Sequence, residues 1–275
     1  NPIYLKKLYI MTPDCVLGIT WDIHPSALFA ISRCGIRLSE GILERFEKNL
    51  IKNNRLISNK SIFTIKFVLE KYFKNNQIRS LIQIGANDGK RFDELNYFIK
   101  KYKTRCILVE PIKEYFDQLQ SNYINLDYVK LENSAISSNE NEKILYGVNN
   151  KYMKNYTDHV RGLDSFNINH LIKHGVKRNH IIQKEVKCIS ISNLILKYQF
   201  NNLDLLFIDA EGYDGEIVKD FLLKVKQKPI LIFEYIHIDT IFFKNLILEI
   251  EKSNYIYFSI NENLICIPIG KEVYL

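Results

Sequence analysis

From Ser80 onward the chain alternates continuously apolar runs with amphipathic ones, and this constrains its fold more than any other feature. "SLIQIG", "RCILVE", "YVKLENSAI", "EVKCIS", "LDLLFIDA" and "PILIFEYI" read as strands. Between them, "RFDELNYFIKKY", "PIKEYFDQLQSNY", "ISNLILKYQF", "GEIVKDFLLKV" and "TIFFKNLILEIEKS" carry apolar residues at helical spacing. Pro111 opens the second of these helices, where its missing N–H costs nothing. Strands that are apolar on both faces and separated by helices imply an α/β fold with a mostly parallel, doubly covered sheet. The last two strands, "YIYFSI" and "LICIPI", are separated only by "NEN", too short for a helical crossover, and are expected to form an antiparallel hairpin.

A seven-stranded, mostly parallel sheet closing in a C-terminal antiparallel hairpin is the Rossmann-like layout of class I methyltransferases. A plain dinucleotide-binding fold more often ends on another crossover. Residues 1–60 read differently: short apolar pieces with Pro2, Pro13 and Pro25 precede a polar patch, "KNNRLISNK". They are expected to form an N-terminal helical appendage or cap, with the main domain over 61–275 opening on the helix "SIFTIKFVLEKYF". From about 149 to 184 the alternation lapses in a segment holding four of the six histidines. An irregular insertion of that length is more often functional than structural, and this one is expected to shape the acceptor site.

The formal charge of +7 comes from scattered lysines, without a basic run interleaved with aromatics, so no nucleic-acid partner is expected. Five widely spaced cysteines, at 15, 34, 106, 188 and 266, include no CxxC pair. They argue for a reducing, cytoplasmic setting and against a disulfide framework or zinc site. The apolar run from Cys15 to Cys34 is interrupted by Asp22, His24, Pro25 and Arg33, so no membrane span is expected, and it lacks the features of a signal peptide. The first residue is Asn rather than Met, which leaves room for a segment upstream.

The chemistry-bearing residues cluster at strand ends. Gly85 ends the first strand and Gly89 lies four residues on, where the backbone could approach a ligand without a Cβ between them; the alternative is a tight packing turn. Glu110 ends the second strand, where a carboxylate can accept hydrogen bonds from both ribose hydroxyls of an adenosine; the alternative is a helix-start acid before Pro111. The spacing is not G-x-G-x-x-G, so the pyrophosphate fingerprint is absent. A ligand with adenosine but no pyrophosphate, such as S-adenosylmethionine, fits better. Asn133, Ser134 and Ala135 end the third strand and would flank an adenine ring. "LLFIDAEGYDGEIV" puts Asp209 and Glu211 past a buried strand, where two carboxylates are costly unless solvated, paired or used; Asp214 reads as a helix cap. Glu234 and His237 follow the next strand, and His237 is a natural base for an acceptor hydroxyl or else a surface residue. His159, His170, His174 and His180 read as surface or packing residues. His170 and His174, at i,i+4, share a helix face but lack a third metal ligand, and no metal site is assigned.

"IGANDG", "VEP", "NSAI", "VKCISISNLI", "LDLLFIDAEGYDGEIV" and "ILIFEY", in this order over about residues 78–268, resemble the FkbM family of S-adenosylmethionine-dependent methyltransferases. The resemblance implies that Gly85, Ala86, Asn87, Asp88 and Gly89 cradle the methionine part. It implies that Glu110, with Pro111, holds the ribose, that Asn133 to Ala135 border the adenine, and that Asp209 and Glu211 face the cofactor–acceptor junction. Two departures from the family pattern are Gln83, where many members have an acid before the glycine turn, and Phe207, where many have lysine.

The expected activity is O-methylation of a hydroxyl on a sugar, glycan or small metabolite. His237 is the first candidate base and Asp209 or Glu211 the second, and Glu211, Glu234 and His237 contact the acceptor. A divalent metal is compatible but not required. The alternatives are a catalytically silent Rossmann-like binding module and a nicotinamide-dependent oxidoreductase. Neither the acceptor nor the oligomeric state is legible.

Overall fold

The computed structural model describes residues 64–271 except 92, 158, 159 and 161. The N-terminal appendage expected over 1–60 lies outside the described residues. In chain order the elements are α1 (Ile65–Lys74), β1 (Ser80–Ile84), α2 (Asn96–Tyr102), β2 (Arg105–Val109), α3 (Lys113–Asn122), β3 (Val129–Glu132), β4 (Ala135–Ile136), β5 (Lys143–Val148), α4 (Ile168–Lys173), β6 (Ile181–Val186), β7 (Cys188–Ile189), α5 (Ile191–Lys197), β8 (Leu205–Ile208), α6 (Asp214–Lys224), β9 (Ile230–Glu234), α7 (Thr240–Lys252), β10 (Tyr255–Ile260) and β11 (Asn263–Pro268).

Seven strands form the main sheet in the order β10-β11-β9-β8-β1-β2-β3, and only β11 runs against the rest. The α/β class and the terminal hairpin are as the periodicity implies. Side chains alternate across a strand, so the continuously apolar strands feed two cores. Leu81, Leu205 and Ile230 pack with Phe73 and Phe98 on one face. Ile82, Leu206 and Leu231 pack with Phe221 and Leu246 on the other. Only Asn261 and Glu262 separate the paired Ile260 and Asn263, and Asn261 takes the positive φ of 51° that a two-residue turn requires.

Three local readings are corrected. The helix expected from Arg91 starts at Asn96, because Asp93 Oδ1 accepts the N–H groups of Leu95 and Asn96 and holds the preceding stretch as a turn. "YVKLENSAI" is two strands, broken at Asn133, whose Nδ2 donates to the carbonyls of Glu110 (2.9 Å) and Pro111 (3.1 Å). β4 then pairs with β7 in a separate small sheet, so "EVKCIS" lies outside the main one. The antiparallel ribbon of β5 and β6 was not anticipated. The 149–184 segment springs from its tip, carries α4 and short 3-10 turns, and packs on its own core of Val148, Val160, Leu163, Leu171 and Val176.

β1 has β2 on one side and β8 on the other, both parallel to it. The chain order reverses there, and ligands of such sheets bind in the crevice outside the carboxyl ends of these strands. No helix among the described residues is long and apolar enough to cross a membrane.

Candidate active site

A cavity of about 630 Å³ opens at that edge, within the range of roughly 300–1,000 Å³ typical of cofactor clefts. Gly85, Ala86 and Asn87 line it after β1, Glu110 and Pro111 after β2, and Ser134 and Ala135 at β4. Asp209 and Glu211 line it after β8, Glu234 at the end of β9 and His237 in the loop that follows. Asp88, Gly89 and Asn133 are not in the wall. Asp88 accepts the N–H groups of Lys90 and Arg91 and pairs with the Arg91 Nε at 2.6 Å, which shapes the turn from behind.

The two glycines answer to the protein's own packing. A Cβ on Gly85 (φ 79°) would lie 1.8 Å from the Asp209 carbonyl oxygen, so glycine lets β1 and β8 close on each other. A Cβ on Gly89 (φ 69°) would meet Tyr123 at 2.5 Å and Leu119 at 2.6 Å. The space beside Gly89 that was expected to admit a ligand is filled by these side chains.

Glu110 joins the turn to β2. Its Oε2 accepts the Asn87 N–H (2.9 Å) and its Oε1 the Ile112 N–H (2.8 Å). Burial pushes this carboxyl up to about 8, against the pull of those two donors. The same wall holds a pair of which only Gln83 stands out in the sequence. Gln83 Nε2 donates to Asp93 Oδ1 (3.2 Å), while Gln83 Oε1 and Asp93 Oδ2 are buried with no partner among the described residues. Both side chains line the cavity. Periodicity puts Asp93 inside a helix, and nothing local sets it apart from its neighbour Glu94.

The opposite edge is built from acids and histidines. Asp209 follows β8 and stands open to the cavity, and the dense protein around it raises its carboxyl. Glu211 takes a left-handed φ of 48°, uncommon for a residue with a Cβ. Its Oε2 lies 3.1 Å from His170 Nε2, and its carbonyl accepts from Ser165 Oγ at 2.7 Å. Burial and the Asp209 charge push the Glu211 carboxyl up as well. Asp214 is wholly buried and accepts the N–H groups of Ala210, Gly212 and Glu234, each at 3.3 Å, so it ties the β8–α6 loop to the end of β9. Burial and the Asp209 charge push it up to about 8. Glu234 Oε1 lies 3.6 Å from His237 Nε2. Burial and the neighbouring carboxylates push Glu234 up to about 9. Burial and the adjacent His170 and His174 hold His237 down to about 4, so it is a neutral imidazole at pH 7. The 149–184 segment adds Gly162, Asp164, Phe166 and His174 to the wall. His180 packs as expected, stacked on Tyr152 with ring centroids 3.8 Å apart. His159 lies outside the described residues.

The methyltransferase FkbM domain model matches residues 83–257, which include every strand end of this cavity. The chain belongs to the FkbM methyltransferase family. That family is one of S-adenosylmethionine-dependent methyltransferases, and Gln83 stands where many FkbM members carry an acid. Among solved structures, the chain is similar to the methyltransferase FkbM from Methylobacillus flagellatus KT, with 16% identity, a TM-score of 0.42 and coverage of 69% of this chain and 44% of that one. It is also similar to a methyltransferase from Geobacter sulfurreducens, with 9% identity, a TM-score of 0.37 and coverage of 88% and 96%. A third is the Methanococcus jannaschii fibrillarin pre-rRNA processing protein, with 10% identity, a TM-score of 0.34 and coverage of 69% and 65%. The chain thus spans less than half the length of the Methylobacillus FkbM protein it matches.

Proposed function

We propose that this cavity binds S-adenosylmethionine and that the protein transfers its methyl group to a hydroxyl oxygen of a sugar, glycan or small metabolite. The side chains of the wall carry the reading. Asp93, Glu94, Glu110, Asp164, Asp209, Glu211, Glu234 and Glu262 line it against Arg91, with no lysine in the wall among the described residues. Burial holds Glu110, Glu211 and Glu234 protonated near pH 7. Yet a wall of carboxyl groups with one arginine offers a pyrophosphate no cluster of cations and offers a bound cation groups that ionise against it. This disfavours a nicotinamide dinucleotide and favours a ligand carrying both a sulfonium and an ammonium. The orphaned acceptors Gln83 Oε1 and Asp93 Oδ2 fit that ammonium. Asp93 thereby supplies, from the turn, the carboxylate that β1 lacks at Gln83.

Glu110 keeps acceptor capacity beyond its two backbone donors for the ribose hydroxyls. Ser134 and Ala135 border the adenine, and Pro111 and Ala86 supply apolar wall. Bound there, S-adenosylmethionine supplies an electrophilic methyl carbon. The protein's part is to align the acceptor and take its proton. Asp209, open to the cavity, is placed to take that proton. His237, first choice on sequence, is the weaker base because its imidazole is held so low. Glu211, Glu234 and His237 stand on the acceptor side, and the 149–184 segment closes it. The same acidic wall disfavours a nucleic-acid acceptor. Free Cys106, Cys188 and Cys266 fit a reducing, cytoplasmic setting.

Calorimetry with S-adenosylmethionine and with NAD, followed by labelled-methyl transfer to a panel of glycans and metabolites, tests this. We expect binding of the first ligand only and label in an ether. NAD binding, or cofactor binding with no transfer to any acceptor, would favour the oxidoreductase or the silent module respectively.

A further inference from the structure

We propose that His170, His174 and His237 bind a divalent transition-metal ion of the zinc class at the acceptor end of the cavity. His170 lies on α4 and His174 caps its C-terminus, one helical turn on, and His237 arrives from the loop after β9. The third imidazole missing from the sequence reading is therefore supplied by tertiary structure. Each ring offers one nitrogen, and these nitrogens lie within 4.8 Å of one another. The rings meet edge to face at His237, with centroids 4.6 Å from His170 and 5.1 Å from His174. Three imidazoles with an open fourth position are the donor set of a metal that acts on a substrate. Imidazole also selects zinc, copper, iron or nickel over magnesium and calcium.

The surroundings fit an ion. His170 is buried, and Glu211 Oε2, 3.1 Å from its Nε2, sets the orientation of the ring as a carboxylate behind a ligating histidine does. His174 and His237 line the cavity, so the open side faces the acceptor. Asp209, Glu211 and Glu234 crowd the same edge, and a dication offsets their mutual repulsion.

The role of the ion rests on the methyltransferase reading, while its binding does not. It would hold the acceptor hydroxyl and lower its pKa. The O–H bond breaks, with the proton passing to the Asp209 carboxylate. The oxygen lone pair forms the bond to the methyl carbon as the carbon–sulfur bond breaks, and sulfur keeps that electron pair. The acceptor class this favours is a vicinal diol, whose second hydroxyl can also reach the ion.

The test titrates chelator-treated protein with Co(II) and Zn(II), reading metal content and the visible spectrum of the cobalt form. We expect about one ion per chain, and affinity about 10- to 100-fold lower or worse in His174→Ala, His174→Gln and His237→Ala. Circular dichroism checks folding, and His170 is spared because it is buried. Metal-free calorimetry should find S-adenosylmethionine affinity within about twofold of wild type in these variants. Absence of Co(II) and Zn(II) binding to wild type, or wild-type metal affinity in the folded variants, overturns the proposal. Metal bound through these histidines without any S-adenosylmethionine binding would support the site and overturn the methyltransferase reading instead.

Discussion

The turn after β1 and the edge after β8 and β9 face each other across one cavity, yet they are held in place differently. The turn is a backbone construction. Gly85 admits the Asp209 carbonyl, Gly89 admits Tyr123 and Leu119, and Glu110 accepts two backbone N–H groups. The opposite edge is a side-chain construction, in which Glu211 meets His170 from the 149–184 segment and His237 meets both His170 and His174. A backbone site tolerates little change in shape but is indifferent to most side chains. A side-chain site tolerates a change of shape but depends on each functional group.

That contrast can be broken by experiment. The largest effect should be on chemistry at the side-chain edge. Asp209→Asn should lower kcat by about 10²- to 10⁴-fold, the usual loss for a general base, in steady-state assays. A loss of only a few-fold would move the proton acceptor elsewhere. On the backbone side, Gly85→Ala should destabilise the fold by about 3 kcal/mol or more, since the positive φ and a backbone oxygen both oppose a Cβ. Gly89→Ala, opposed by side chains that can yield, should cost about 1–2 kcal/mol in denaturant melts. Equal losses at the two positions would erase the distinction. Glu110→Gln should weaken S-adenosylmethionine binding by about 10-fold in calorimetry, the worth of one or two hydrogen bonds to the ribose, with kcat moved less than by Asp209→Asn.

The smallest effect is a slope. Glu110 and Asp214 are pushed up to about 8 in the fold, from about 4 in an unfolded chain. The fold therefore holds protons that the unfolded chain releases, and stability falls as pH rises from about 4 through about 8. Asp214→Asn removes one of those titrations. It should shrink the drop in melting temperature between pH 7 and 8 by about 2–4 °C, equivalent to about 1 kcal/mol in a domain of this size. An unchanged drop would mean that Asp214 is already ionised in the fold.

The backbone-built half was largely legible. Gly85, Glu110 and Asp209 each end an apolar run, and such runs can be located from local periodicity. Asp93 was not legible, because its role depends on a Gln83 partner ten residues away across a turn that periodicity read as helix. Asn133 hid the break in the third strand because its amide bonds carbonyls of another strand's end. The β5–β6 ribbon escaped because its strands are only partly buried and show no continuous apolar run.

The sequence by itself determined the layer order, the two-sided core, the closing hairpin and the strand termini that carry carboxylates, because each follows from residue spacing along a few turns of chain. Tertiary structure alone decided which termini meet. It brought His237 to His170 and His174, turned Glu211 toward His170, left Asp93 and Gln83 with unanswered acceptors, and made the wall acidic. These are contacts between residues ten or more positions apart, fixed by how the strands pair and how the 149–184 segment packs, and no local pattern encodes them.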